Sequence, residues 1–209
     1  MHTLSFPTKK LATALSLCAC LALSAAIAQP VASPAVVGTW GSLQNDHGAH
    51  TLLFKGTANL MGKSVPVELQ FFCSFENTKM LHGAIGFDMR VSGVATLAPF
   101  SCDDFEGPDA PTTGKSLMRV SVNRAGQTAL AYQASPSGSY VADGVFMFEV
   151  SEMTQKPSSI AKSVVKALAD DKAESLHIVI TDPKDAKRTL DFTFAVADKR
   201  GDFKALMTK

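Results

Sequence analysis

The chain has 209 residues, 46% of them hydrophobic, which is enough for one sizeable core or at most two small ones. Charged residues make up 19% of the chain, and the formal net charge is +1. Because there is neither a basic excess nor an acidic run, the composition argues against a nucleic-acid partner and against a solvating tail.

The first residues of the chain predict a cleaved secretory signal peptide, residues 1–28. Lys9 and Lys10 form a positive segment, residues 11–27 are apolar or small, and residues 26–28 match an A-x-A cleavage site. We therefore expect an exported protein, periplasmic or secreted, with no transmembrane segment left after cleavage.

A lipid anchor is the alternative for the same segment. Residues 17–20 loosely resemble a bacterial lipobox, which would place a lipid on Cys20. The apolar run continues well past Cys20, and this favours simple cleavage after Ala28. Residues 29–35 are rich in proline, alanine and serine and predict a flexible tether, and residues 36–209 predict a single domain.

The first predicted strand contains Gly38-Thr39-Trp40, which includes the only tryptophan of the chain. A Gly-x-Trp near the start of a secreted β-protein resembles the opening of lipocalins and of avidin-like barrels. The resemblance to lipocalins implies a carrier of a small hydrophobic ligand, which needs an interior cavity. The other interpretation, which we favour, is that Trp40 covers one end of the core.

Residues 65–73 give the clearest strand signal in the chain. Every second residue from Val65 to Cys73 is apolar, which is the period of a strand with one face in a core. Residues 82–91 alternate equally well. The two segments therefore predict an antiparallel hairpin, with Asp88 and Arg90 on its solvent face.

Two aromatic residues near this hairpin do not fit its buried face. Phe72 and Phe75 either lie under a loop or belong to a binding patch, and the sequence leaves both possibilities open. Together with Trp40 they are the candidate binding residues.

Cleavage of the signal peptide removes Cys18 and Cys20 and leaves Cys73 and Cys102. An even pair of cysteines in an exported protein predicts a disulfide, and a bridge across this loop would stabilise the fold by roughly 3–4 kcal/mol. Two separate buried thiols are the alternative. The chain has no C-x-x-C, so nothing in it indicates redox catalysis.

The last third of the chain changes character. Ser158 or Ser159 caps a predicted helix that has an apolar residue at every fourth position from Ile160 to Leu168. Two further strands and a short helix at 203–207 follow. We therefore expect a mainly β fold with antiparallel sheets arranged like a β-sandwich, one C-terminal α-helix packed on it, and a short terminal helix.

Two clusters contain residue types that bind metal ions. Asp46, His47 and His50 share one turn and could chelate Zn²⁺ or Cu²⁺, although a structural site normally needs four ligands. An acidic loop offers oxygen ligands for Ca²⁺, but its spacing fits no defined calcium loop. We interpret both as solvated segments and predict no metal and no cofactor. The acidic residues are Asp103, Asp104, Glu106 and Asp109.

The chain carries no catalytic sequence motif: it has no G-x-S-x-G, no H-E-x-x-H, no phosphate loop and no dinucleotide-binding glycine pattern. A catalytic triad is defined by geometry rather than by sequence order, so a hydrolase with scattered residues is kept as an alternative. We predict no catalytic residue and favour a protein that is not an enzyme.

The C-terminal third runs as a helix, two strands and a closing helix at 203–207. Together with the strand that ends at Cys73, this layout resembles small exported proteobacterial proteins, namely the invasion-associated protein B family and the periplasmic accessory proteins of type VI secretion. The resemblance covers residues 65–91 and 158–207 in pattern. It implies a non-enzymatic, β-rich envelope protein whose partner is another envelope or secreted protein. The identity of the partner and the oligomeric state stay open.

Overall fold

The computed structural model describes residues 35–46, 48–75, 83–97, 99–107 and 115–208. The predicted signal peptide with Cys20, nearly all of the predicted tether, and the candidate ligands His47 and Asp109 lie outside the described residues. The described residues all belong to one compact unit.

Two antiparallel sheets make up most of the described chain. The large sheet has seven strands in the order β1-β3-β4-β5-β9-β8, with β2 paired to β3, and the small sheet has the order β11-β10-β6-β7. The strands of the large sheet are β1 (Val37–Trp40), β2 (Gln44–Asp46), β3 (Ala49–Leu60), β4 (Lys63–Ser74), β5 (Ala84–Ser92), β8 (Ser137–Ala142) and β9 (Val145–Met153). Those of the small sheet are β6 (Met118–Arg124), β7 (Gln127–Ala134), β10 (Ala173–Asp182) and β11 (Asp185–Ala195).

Strand β4 is central to the large sheet, and its alternating apolar residues explain why. The five side chains at odd positions from Val65 to Cys73 are all buried, and the strand pairs with β3 on one side and β5 on the other. The predicted antiparallel hairpin of β4 and β5 is confirmed. The predicted solvent face of β5 is wrong at Asp88, which is only 6% exposed although it points away from the core.

In the described part of the chain, two α-helices pack on the sheets. Helix α1 (Ile160–Leu168) begins where the Ser159 side chain accepts a hydrogen bond from the Lys162 amide, as its N-cap position requires. Helix α2 (Arg200–Leu206) closes the chain and buries Phe203 and Leu206. The expected mainly β, sandwich-like fold with a C-terminal helix and a short terminal helix is confirmed. No described helix is long and apolar enough to cross a membrane.

Phenylalanine rings fill the space between the layers. Phe54 of the large sheet meets Phe194 of the small sheet edge to face, with ring centroids 5.2 Å apart. Fully buried rings extend this core along its length. A lipocalin-like carrier needs an open interior, and in the described part of the chain that interior is packed. The fully buried rings are Phe71, Phe87, Phe105, Phe146, Phe148, Phe192, Phe194 and Phe203.

The disulfide predicted from the sequence is not formed, because Cys73 and Cys102 are separate, buried free thiols. Cys73 pairs with Ile85 at the start of β5, whereas Cys102 lines a cavity with Val94, just beyond the other end of that strand. A strand of 9 residues spans roughly 30 Å at about 3.3 Å per residue, and a disulfide needs Cα atoms within about 7 Å. The alternative of two buried thiols is the one that the structure adopts.

Candidate binding site

The connection after β5 folds back over the inner face of β9. It contains a short 3₁₀ helix, Cys102–Phe105, and packs two aromatic rings against Phe148. Phe105 is fully buried, with its centroid 5.2 Å from that of Phe148, and it stacks parallel to Phe100 at 6.3 Å. These rings anchor an otherwise polar segment on the sandwich.

A groove of about 790 Å³ lies beside this anchored segment. Its walls are Val94 and residues 100–104 of the connection, residues 140–144 from β8 and the turn into β9, and Lys184 from the turn between β10 and β11. We call it the rim groove. Three separate parts of the chain form it, so no continuous stretch of sequence encodes it.

Asp182 holds two of these parts together. Its side chain is fully buried, and it accepts hydrogen bonds from the backbone amides of Ser101 (3.1 Å) and Lys184 (2.8 Å). The guanidinium of Arg188 lies 3.3 Å from the same carboxylate and also donates to the carbonyl of Pro99. A buried carboxylate with these partners fixes the turn after β10 against the connection, because leaving it unpaired would be costly.

The acidic residues proposed for Ca²⁺ are bonded within the protein rather than gathered around an ion. Asp103 accepts from the Tyr140 hydroxyl at 2.8 Å, and Asp104 pairs with the Lys184 ammonium at 2.7 Å. Glu106 accepts from the backbone amide of Tyr140 at 3.0 Å. Within the described ranges, no group of three or more histidine, cysteine or acidic residues could hold a metal ion.

Strand β8 forms both a wall of the rim groove and one edge of the large sheet. Its sequence from Ser137 to Ala142 has no charge and no proline, which are the usual means of blunting an edge. The outward amide of Tyr140 donates to the Glu106 carboxylate of the neighbouring connection. Tyr140 and Val141 are 47% and 46% exposed, so the groove has an apolar lip.

The Tyr140 hydroxyl and the Cys102 thiol in the rim groove both have pKa values above those of the free side chains. The hydrogen bond to Asp103 raises the pKa of Tyr140 to about 12, because a phenolate would lose it. Burial raises the pKa of Cys102 to about 12, and the carboxylates of Asp103 and Asp182 add to the effect. The Cys102 thiol is therefore neutral at physiological pH, and a neutral thiol is a poor nucleophile.

The candidate binding residues from the sequence lie elsewhere. Trp40 donates from Nε1 to the Ala195 carbonyl at 2.8 Å and packs edge-on against Phe54 and Phe203, so its ring joins the two sheets and α2. The half-buried Phe72 lies over Gly86, where an added Cβ would come within 2.5 Å of its ring.

Two more of the residues singled out from the sequence, His50 and Phe75, contact each other. His50 is buried, with Nδ1 3.3 Å from the Leu206 carbonyl, and its ring centroid lies 5.5 Å from that of Phe75. Asp46, the third member of the proposed metal cluster, lies on the exposed strand β2.

The outer face of the small sheet brings together the side-chain types of a hydrolase. Ser121 is directly opposite His177, and His177 Nε2 lies 2.8 Å from Asp191 Oδ1. Ser121 and His177 lie on the two central strands of the sheet, where backbone amides belong to strand ladders and are not free to stabilise an oxyanion. The arrangement therefore does not favour the hydrolase alternative.

Sequence patterns did not predict the residues that shape the rim groove, above all Tyr140, Val141 and Lys184. One signal was available, since Tyr140 and Val141 form an apolar pair within a strand of otherwise small residues, next to a turn. Apolar side chains on such a strand are typical of an edge that meets a partner.

Comparison of the chain with known proteins gave no matching family model, no matching curated protein and no matching solved structure. The resemblance to the invasion-associated protein B family and to type VI secretion accessory proteins stays a prediction.

Proposed function

We propose that this chain is an exported bacterial envelope protein, periplasmic or secreted, that acts as a non-enzymatic binding module. Its rim groove would hold an extended, basic segment of another envelope or secreted protein. The observation that carries the proposal is the groove itself: about 790 Å³, with an apolar lip and a surplus of acidic side chains.

The charges of the groove define the partner. Among the residues that the structure describes, its walls contain three carboxylates, at Asp103, Asp104 and Asp143, against the single ammonium of Lys184. Lys184 neutralises Asp104, which leaves Asp143 exposed on the turn before β9 and Asp103 beside the Tyr140 ring. A lysine or arginine side chain would pair with these carboxylates, and the tyrosine face would add a cation–π contact.

The shape of the groove favours an extended segment over a helix. Strand β8 is the outermost strand of the large sheet, and exposed edges of this kind accept an added strand in many complexes. Val141 would supply an apolar contact beside the charge pairing, since its side chain is 46% exposed.

Selection from a random peptide library displayed on phage tests the proposal with purified protein. We expect enriched peptides to contain lysine or arginine next to aliphatic or aromatic residues, and their affinity to fall as salt screens the charges. Asp143→Lys should lower the affinity for these peptides about tenfold or more, which is the size of effect expected for one charge contact.

The matched control is Asp171→Lys, which makes the same charge change at an exposed residue. Asp171 lies just before β10 begins, while the groove lies at the end of that strand, roughly 30 Å away for 10 residues. Equal losses of affinity in both variants would mean that the effect comes from the overall charge of the protein rather than from the groove, and would contradict the proposal. Enrichment of acidic or uncharged peptides would contradict the proposal.

A further inference from the structure

A second cavity lies at the opposite end of the sandwich, where β4 ends and β5 begins. It has a volume of about 270 Å³ and is lined by Cys73, Phe75, Ile85, Lys162, Met207 and two polar residues of the turn after β9. We call it the end pocket. Cys73 and Ile85 are paired across the strands and each is 2% exposed, so they form an apolar floor.

One cation projects into this apolar setting. Lys162 is in the first turn of α1 and is half-buried, and among the described residues no carboxylate lies within ion-pair distance of its ammonium. Its charge reaches the floor of the pocket: burial raises the pKa of the Cys73 thiol, and Lys162 opposes that rise.

Glu152, a carboxylate at this end of α1, is already bonded. Glu152 accepts from Lys156, from the Ser159 hydroxyl and from the Ala161 amide, at 2.7 to 2.9 Å. Within the described part of the chain, Lys162 therefore has an ammonium without a carboxylate partner, above apolar groups. A partly desolvated cation of this kind is stabilised by an anion that brings its own apolar body.

We propose that the end pocket binds a small monocarboxylate with an apolar chain, its carboxylate on Lys162 and its chain against Ile85, Phe75 and Met207. The volume, near the lower limit of typical ligand sites, suits a single medium-length chain and excludes a phospholipid or a sterol. This site is independent of the rim groove and of the proposed partner.

Titration with octanoate, below its micelle-forming concentration, tests the proposal on protein carrying ¹³C-methyl methionine. We expect a saturable shift of the Met207 methyl resonance, identified with Met207→Leu, and no shift of the exposed Met61. Octanol, with the same chain but no charge, should bind about tenfold more weakly or worse.

Lys162→Gln should remove the preference for octanoate over octanol, whereas Lys166→Gln should not. Lys166 is exposed one turn further along the same helix and does not line the pocket. Equal affinity of the unmodified protein for octanoate and octanol would overturn the carboxylate assignment. A Met207 resonance that does not move with either compound would overturn the site itself, and these readouts do not depend on peptide binding at the rim groove.

Discussion

Phe105→Ala is the substitution that best tests how the rim groove is held in place. The ring of Phe105 is fully buried between Phe100 and Phe148, and it is the main anchor of the polar connection that forms one wall. Truncating a buried phenylalanine to alanine costs about 3–5 kcal/mol. We expect that cost to act first on this segment, because a connecting segment opens locally at a lower free energy than the central strands of a sheet.

The two free thiols report on the two ends of the molecule separately. Cys102 is 5% exposed within the anchored segment, and Cys73 is 2% exposed at the other end of β5. If the connection opens locally, a loss of about 3 kcal/mol raises the alkylation rate of Cys102 by about a hundredfold. Cys73 should react as slowly as in the unmodified protein.

The assay is alkylation under native conditions, with the modified peptides quantified by mass spectrometry over time. Val141→Ala serves as the control, because it truncates an exposed side chain of the same groove and should leave both rates unchanged. Equal acceleration of both thiols would mean that Phe105 stabilises the whole domain. Unchanged protection of Cys102 would refute the claim that Phe105 anchors the wall.

Three further predictions concern ionisable groups. Burial raises the pKa of Asp88; neighbouring glutamates add to this rise and Arg90 opposes it. Ionisation of Asp88 therefore destabilises the fold as pH rises. Asp88→Asn should increase the free energy of unfolding at pH 7, and this gain should disappear as pH falls below the ordinary pKa of 3.8. Glu152 is the opposite case: burial raises its pKa, but its hydrogen bonds lower it by more, so the net shift is downward. Glu152→Gln should reduce the free energy of unfolding above pH 4.5, and this loss should disappear as pH falls through the lowered pKa. Urea unfolding across this pH range checks both signs. In a Tyr132→Phe background, ultraviolet titration should give a pKa of about 12 for Tyr140, and Asp103→Asn should move it toward 10; an unchanged value would exclude the hydrogen bond as the cause.

Local periodicity was sufficient to predict much of the fold. The strands at 65–73 and 82–91 could be assigned because their apolar residues alternate with the period of a half-buried strand. The helix at 160–168 could be assigned because a serine cap precedes apolar residues spaced by four. These signals depend on neighbours in sequence, and so they survive without knowledge of the tertiary structure.

Features that depend on contacts between distant residues could not be predicted in the same way. Asp88 occupies a solvent-facing position by parity, yet it is covered on the outer face of the large sheet. The cysteine pair suggested a bridge by number alone, while the register places the two thiols near opposite ends of β5. Their separation follows from how the strands pair, which the local sequence does not show.

The candidate site shows the same limit more strongly. The acidic loop around Asp103 was recognised, but its partners Tyr140 and Lys184 lie 37 and roughly 80 residues further along the chain. A loop of acidic residues therefore suggested a cation site, whereas its carboxylates are hydrogen-bonded to a hydroxyl, an amide and an ammonium. The groove exists because three turns meet at one end of the sandwich.

Photo-crosslinking in the native host tests the central claim, that the rim groove binds a polypeptide, most directly. A photoreactive residue at Val141 would report on the groove, and one at Val37 would serve as the control. Val37 is 77% exposed on β1, at the opposite edge of the large sheet. The proposal predicts a defined adduct from Val141, joined to a basic segment of another envelope or secreted protein and lost when Asp143→Lys is added. The absence of an adduct from Val141, or the same adducts from both positions, would contradict it.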